Sequence, residues 1–331
     1  MLRFFRSSNI RVIVIIILTG ILTWLHVLSD STIVPSGKYG AFMYQSLNGW
    51  LLNTQEAYVW CGFILFLLTA ILLLFVNRRF RLIEKISYLP GLCYILLVGG
   101  IPDIHQFNPA VIATILLVTS FIFLAKSFER EQLSYSYFVA PMFISTATFF
   151  YQYMYVYMLV VWLSIAFWRP GYWREWVFSI LGFALPLFFA FSWFFLIDDD
   201  YTRMGVFFKE IFSIQRRMVP SVSNTSIAFF ALSIVIIVFA FGYLLRYLRS
   251  NKVIIRNRFG VLILLSVITA GLMIIVPDMI PLAWYLLAFP MSFILAYYLA
   301  TIKSFRWGTV VLFILFMAVA TAQAFFIYYH S

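Results

Sequence analysis

"AYVWCGFILFLLTAILLLFV", residues 57–76, is an uncharged run of 20 residues, bounded by Glu56 on one side and by Asn77, Arg78 and Arg79 on the other. A helix that crosses the hydrocarbon core of a bilayer needs about 20 such residues. The whole chain has the same character. Of its 331 residues 64% are hydrophobic, 21% are aromatic and only 11% are charged, whereas soluble domains carry roughly 25% charged residues. So much apolar surface cannot be hidden from water in one globule. Lipid is the solvent, and a backbone in lipid must satisfy its own hydrogen bonds within helices. The fold class expected is all-α, a single integral membrane domain built as a polytopic transmembrane helix bundle.

The same length criterion marks about 11 spans: 11–29, 57–76, 86–101, 109–126, 134–150, 152–168, 176–197, 224–247, 259–277, 280–300 and 307–328. The third is short and contains Pro90. The fifth and sixth come from one apolar run, 135–168, which as one helix would be about 50 Å long and too long for the bilayer. The polar pair Tyr151–Gln152 divides it into a tight hairpin. Pro170 and Gly171 in "WRPGYWREW" stop the next helix, and Trp173 and Trp176 suit an interface. The first span has no small-residue cleavage site after it and reads as a retained helix rather than a signal peptide. "NTS" at 224–226 reads as a helix cap. Cys61 and Cys93 both fall in apolar runs and read as small buried hydrophobes.

Orientation follows from charge. With the N-terminus in the cytoplasm, 18 of the 23 Lys and Arg residues lie inside, and only Lys38, Arg203, Lys209, Arg216 and Arg217 lie outside. That obeys the positive-inside bias, and 11 spans then put the C-terminus outside. The net charge of +11 is explained by the anionic inner leaflet and requires no nucleic acid. Eight of the 12 acids fall on the outer side, which points to that face for chemistry.

Two outer connections are long, 30–56 and 198–223. In the second, Met204, Phe207, Phe208, Ile211 and Phe212 form one apolar stripe, with Arg203, Lys209, Glu210, Arg216 and Arg217 on the opposite face. Such a helix lies in the membrane interface. In the first, Tyr39, Met43, Leu47, Trp50 and Leu51 share a face opposite Gln45 and Asn48.

No nucleotide-binding loop or zinc signature is present. The chemistry-bearing candidates are few. Asp30 ends the first span and suits a general base or a metal ligand. Asp103 and His105 in "GGIPDIHQFNP" form an acid–imidazole pair suited to proton transfer or substrate contact. Asp198 and Asp200, from the triplet 198–200, suit a divalent cation. Arg203, Lys209, Arg216 and Arg217 oppose the positive-inside bias, and their chemistry suits a phosphate-bearing lipid head group.

Residues 84–197 resemble a family of uncharacterised multi-pass inner-membrane proteins of Bacteroidota, through "YLPGLCYILLVGGIP" (88–102), "FISTATFFYQYMYVYMLVVW" (143–162) and "WREWVFSILGFALPLFF" (173–189). That resemblance implies the bacterial inner membrane and carries no activity. In layout the chain is similar to GT-C glycosyltransferases, protein mannosyltransferases in particular. The shared features are a cytoplasmic N-terminus, a long first outer loop with an interfacial helix ("KYGAFMYQSLNGWLL", 38–52) and a second long outer loop after the seventh span. The similarity implies sugar transfer from a polyprenyl-phosphate donor, with Asp30 matching the acid that follows the first helix. That class often has two adjacent acids there, whereas this chain reads Ser29-Asp30-Ser31. Two other classes fit the sequence: a transporter or flippase, for which charged residues at mid-span would be expected, and a non-catalytic membrane subunit with other envelope proteins as partners.

Overall fold

The computed structural model describes residues 10–29, 41–51, 55–83, 87–105, 107–129, 133–197, 223–248, 252–302 and 305–330. Regular structure within them is entirely helical. The chain order is α1 (Ile10–Ser29), α2 (Phe42–Leu51), α3 (Gln55–Phe80), α4 (Leu89–Gly99), α5 (Pro109–Lys126), α6 (Leu133–Thr148), α7 (Met158–Trp168), α8 (Trp173–Ile197), α9 (Asn224–Tyr247), α10 (Val253–Ile275), α11 (Ile280–Thr301) and α12 (Phe305–His330). Short 3₁₀ turns occupy Pro102–Ile104, Gln152–Tyr157 and Pro277–Met279. Among the described residues, 7 helices are long and apolar enough to cross a membrane: α3, α5 and α8 through α12. Stretches within α1, α4 and Gln152–Trp168 are apolar but shorter.

Burial orders the helices. α4 is buried at every residue, and 89% of the apolar window of α11 is buried. These two form the axis of the bundle, with α3, α5, α9 and α10 packed around them. α8 is the outlier, with only 11% of its window buried, and it packs chiefly along α6. Gly182 makes that contact close: a Cβ there would stand 2.0 Å from the Phe138 carbonyl oxygen. Small residues at such crossings let backbones approach in membranes.

Several expectations are met and some are shifted. Pro90 lies in the first turn of α4, where a missing N–H costs nothing. The 135–168 run is broken as expected, but its turn is not a solvated exit. Tyr151 and Gln152 are buried, and the start of α2 is tied to the residues just before them, with Ala41 N–H donating to Phe150 O at 3.0 Å and Met43 N–H to Phe149 O at 3.1 Å. Tyr157 Oη bonds Thr269 Oγ1 at 2.7 Å, fastening this segment to α10. α10 begins at Val253 rather than at 259, so Arg258 lies inside the helix and is buried. On α2, Tyr44 turns to the bundle and is fully buried, while Met43, on the apolar stripe read from the sequence, is 45% exposed.

The bundle has two chemically distinct ends. At one end the last turn of α3, the turn after α5 and the start of α10 meet at Arg258. Its guanidinium bonds Glu129 at 2.5 Å and donates to Phe80 O at 3.0 Å and Ala125 O at 3.2 Å. It thereby satisfies carbonyls near two helix C-termini. Arg169 and Glu175 pair at 3.1 Å at the same end. The described Lys and Arg residues all lie towards this basic end. The opposite end carries Glu56 and Asp103.

Candidate functional site

The acidic end is organised by residues 102–105 and 107–108. Gly99 and Gly100 close α4, and Gly100 lets Phe229 of α9 approach so nearly that a Cβ would fall 2.1 Å from its ring. Asn108 starts α5 by accepting the Val111 N–H at 3.1 Å, with Pro109 in the first turn.

Asp103 reaches across to α9. Its Oδ2 accepts from the Ser223 N–H at 3.1 Å, the Ser223 hydroxyl at 2.8 Å and the Ser226 hydroxyl at 2.5 Å. Ser223 is the N-cap of α9 and accepts the Ser226 N–H at 3.3 Å. The cap is therefore the residue just before the "NTS" triplet. A carboxylate at a helix N-terminus is favoured by the exposed N–H groups and the helix dipole.

His105 faces another way. It is 1% exposed, its ring is stacked on Trp24 at 5.0 Å, and its Nε2 lies 3.2 Å from Val98 O, where only a protonated Nε2 can donate. This bond belongs to a set. α4 ends inside the protein, so its last carbonyls need partners that a bilayer does not supply. Trp284 Nε1 donates to Leu97 O at 2.8 Å, His105 to Val98 O, and Gln323 Nε2 to Gly99 O at 2.6 Å. Further along the segment, Tyr285 Oη donates to Ile104 O at 2.9 Å.

The first long connection is tied to the same segment. Tyr44 Oη donates to Phe107 O at 2.9 Å and lies 3.1 Å from Tyr58 Oη, with its ring stacked on Phe107 at 5.2 Å. Burial, aided by the neighbouring Tyr58, pushes the Tyr44 phenol far above its ordinary range, so it remains a donor.

Of the residues singled out from the sequence, Asp103 and His105 share this segment but bind different partners, Asp103 the start of α9 and His105 the end of α4. Asp30, Asp198, Asp200, Arg203, Lys209, Arg216 and Arg217 lie outside the described residues, as does the amphipathic helix read at 204–212. Among the described residues no 3 His, Cys, Asp or Glu side chains gather where they could hold a metal ion. Sequence reasoning passed over Trp24, Tyr44, Ser223, Trp284 and Gln323. Gln323 carried a visible signal, a carboxamide inside an otherwise apolar span. Comparisons of the chain with protein-family models, with curated proteins and with solved structures found no match.

Proposed function

We propose that this protein is a GT-C-like membrane glycosyltransferase of the bacterial inner membrane that moves a sugar from a polyprenyl-phosphate donor at the outer leaflet. Its acidic end faces outward, its N-terminus is cytoplasmic, and about 11 segments of the bundle cross the membrane. The observation that supports this reading is that both long connections are anchored on one segment. Tyr44, from the first, bonds Phe107, and Ser223, where the second ends, bonds Asp103. Catalytic groups on two loops can act together only when a rigid scaffold brings those loops to one place.

In this reading Asp30 deprotonates the acceptor hydroxyl, or holds a divalent cation that polarises it. Arg203, Lys209, Arg216 and Arg217 hold the donor phosphate and stabilise the charge that develops on the leaving group. Asp198 and Asp200 are the further carboxylates available to a cation. Asp103 positions the start of α9 through Ser223 and Ser226.

The test is donor turnover in proteoliposomes, with polyprenyl-phosphate sugars and an envelope extract as acceptor. Wild type consumes donor, Asp30→Asn abolishes consumption, and Arg216→Ala/Arg217→Ala weakens it by 10-fold or more, about 1.4 kcal/mol. Absence of turnover in folded wild type across a broad donor panel sinks the transferase. That outcome favours a non-catalytic membrane subunit of an envelope assembly, a second reading with its own support: Asp103 and His105 are both engaged in holding helix ends together.

A further inference from the structure

α3 runs for 26 residues, Gln55–Phe80, or about 39 Å at about 1.5 Å per residue. Its uncharged stretch, 57–76, accounts for about 30 Å of that, the thickness of a hydrocarbon core. Arg78, Arg79 and Arg81 therefore stand about 3 to 8 Å beyond the edge of the core. The head groups occupy that layer, because they raise the thickness of a bilayer from about 30 Å to about 40–45 Å.

The three arginines are not equivalent. Arg79 meets Glu129 and lies over the Phe80 ring, and Glu129 is also bonded by Arg258. Arg78 and Arg81 are exposed, and among the described residues neither pairs with a carboxylate. Glu84 and Lys85, which follow, carry opposite charges and lie outside the described residues.

Arg81 is also held in a conformation that a side chain resists. Its φ is 47°, in the left-handed region that favours glycine. Among the described residues no other non-glycine residue has a positive φ. Asn77 sets this turn. Its O accepts the Arg81 N–H at 2.9 Å, its Oδ1 accepts the Ile83 N–H at 3.3 Å, and its Nδ2 donates to Ser87 O at 2.8 Å. Leu82 and Ile83 are buried by this clasp, while Arg81 stays outside. Helices that end in this way commonly place glycine at the left-handed position. The arginine side chain adds nothing to the turn, so its use lies in what the guanidinium meets outside the protein.

Depth and charge select that partner. A guanidinium fork matches phosphate, and the phosphates at this depth are those of lipids. A zwitterionic head group brings a cation along with its phosphate, and among the described residues no carboxylate stands beside Arg78 or Arg81 to receive it. We infer that Arg78 and Arg81 form a binding site for the phosphate of an anionic phospholipid, in the leaflet at the basic end of the bundle. The site is independent of the transferase reading, whose groups belong to the other end.

The experiment uses the full chain in phosphatidylcholine nanodiscs that contain a phosphatidylglycerol probe with a photoreactive diazirine beside its glycerophosphate. Crosslinks are expected at residues 78–83, at least about 10-fold stronger than with a phosphatidylcholine probe carrying the same group. Arg78→Gln/Arg81→Gly cuts them by at least about 10-fold. Arg246→Gln, which removes an exposed charge from the last turn of α9, leaves them unchanged. Glycine suits the left-handed turn, so the double variant is expected to unfold thermally no earlier than wild type in phosphatidylcholine alone. If it fails to fold, the contrast between the two probes in wild type still decides. Equal labelling by the phosphatidylcholine probe, or undiminished labelling in the folded double variant, overturns the site. An equal loss in Arg246→Gln also overturns it, because the effect then belongs to the field of the whole basic face. Soluble glycerol phosphate at the concentration of the probe is expected to leave labelling intact; displacement by it assigns the arginines to a free phosphate ester and removes the lipid.

Discussion

Asp103 and Arg258 show how differently one charged residue can work at the two ends of this bundle. Asp103 is partly exposed and accepts three hydrogen bonds from two serines at the head of α9. Bonds to a charged group contribute roughly 1.5–3 kcal/mol, and these share one oxygen and two residues. Asp103→Ala is therefore expected to lower stability by about 2–3 kcal/mol. Asp103→Asn, which can still accept, should cost about 1 kcal/mol; denaturant unfolding in mixed micelles measures both. Had Asp103 only a solvated role at a membrane exit, neither change would exceed about 0.5 kcal/mol. Arg258 is buried, and its loss strands two helix carbonyls and the Glu129 charge. Arg258→Met should cost about 3 kcal/mol. Arg258→Met/Glu129→Gln should cost less than the single change, because the remaining charge is removed as well. Arg79 also meets Glu129, but at 3.4 Å with both side chains substantially exposed. Exposed pairs contribute roughly 0–1 kcal/mol, so Arg79→Ala is expected to be nearly silent in the same assay.

At the level of elements, α8 is held to the bundle mainly by one close crossing with α6, and Gly182 sits at its tightest point. Its missing Cβ would collide with backbone rather than with a movable side chain. Gly182→Ala is expected to push α8 outward and cost about 1–3 kcal/mol. A cysteine pair engineered across α6 and α8 should then crosslink more slowly, whereas an unchanged rate would show that the crossing yields without penalty. The crossing itself was not legible in the sequence, because a lone glycine in an apolar helix has no visible partner. Helix positions were legible: α9 spans the 224–247 read from hydropathy, and Pro90 marks the start of α4. What hydropathy could not supply is side-chain aim. The stripe on α2 marked Met43 as part of an apolar interfacial face, and Met43 is exposed; what the stripe did not show is that Tyr44 turns inward and donates to Phe107 O. Tyr151 and Gln152 read as the polar break of a hairpin, and hydropathy gave no sign that both are buried. His105 looked like half of an acid–base pair with Asp103. Its Nε2 instead bonds Val98 O at the buried end of α4, a need that arises because that helix stops inside the protein.

For the molecule as a whole, the separation of charge between the two ends turns a sequence statistic into a geometric one. Arg258, Arg79, Glu129 and the Arg169–Glu175 pair gather at one end, while Glu56, Asp103 and the tyrosine cluster lie at the other. Lys and Arg favour the cytoplasmic side during insertion, and the anionic inner leaflet then holds them there by about 1 kcal/mol each. Single cysteines placed in a background without Cys61 and Cys93 should report this directly in intact cells. A membrane-impermeant maleimide is expected to label Glu56→Cys, whose side chain is exposed at the acidic end, and to miss Arg81→Cys and Lys252→Cys until the membrane is permeabilised. The latter two positions are also exposed, so their protection can come only from the bilayer. The reverse pattern would place Asp103, His105 and Phe107 on the cytoplasmic side. A lipid-linked donor would then have to be met from the inner leaflet, and the outward transferase would fail.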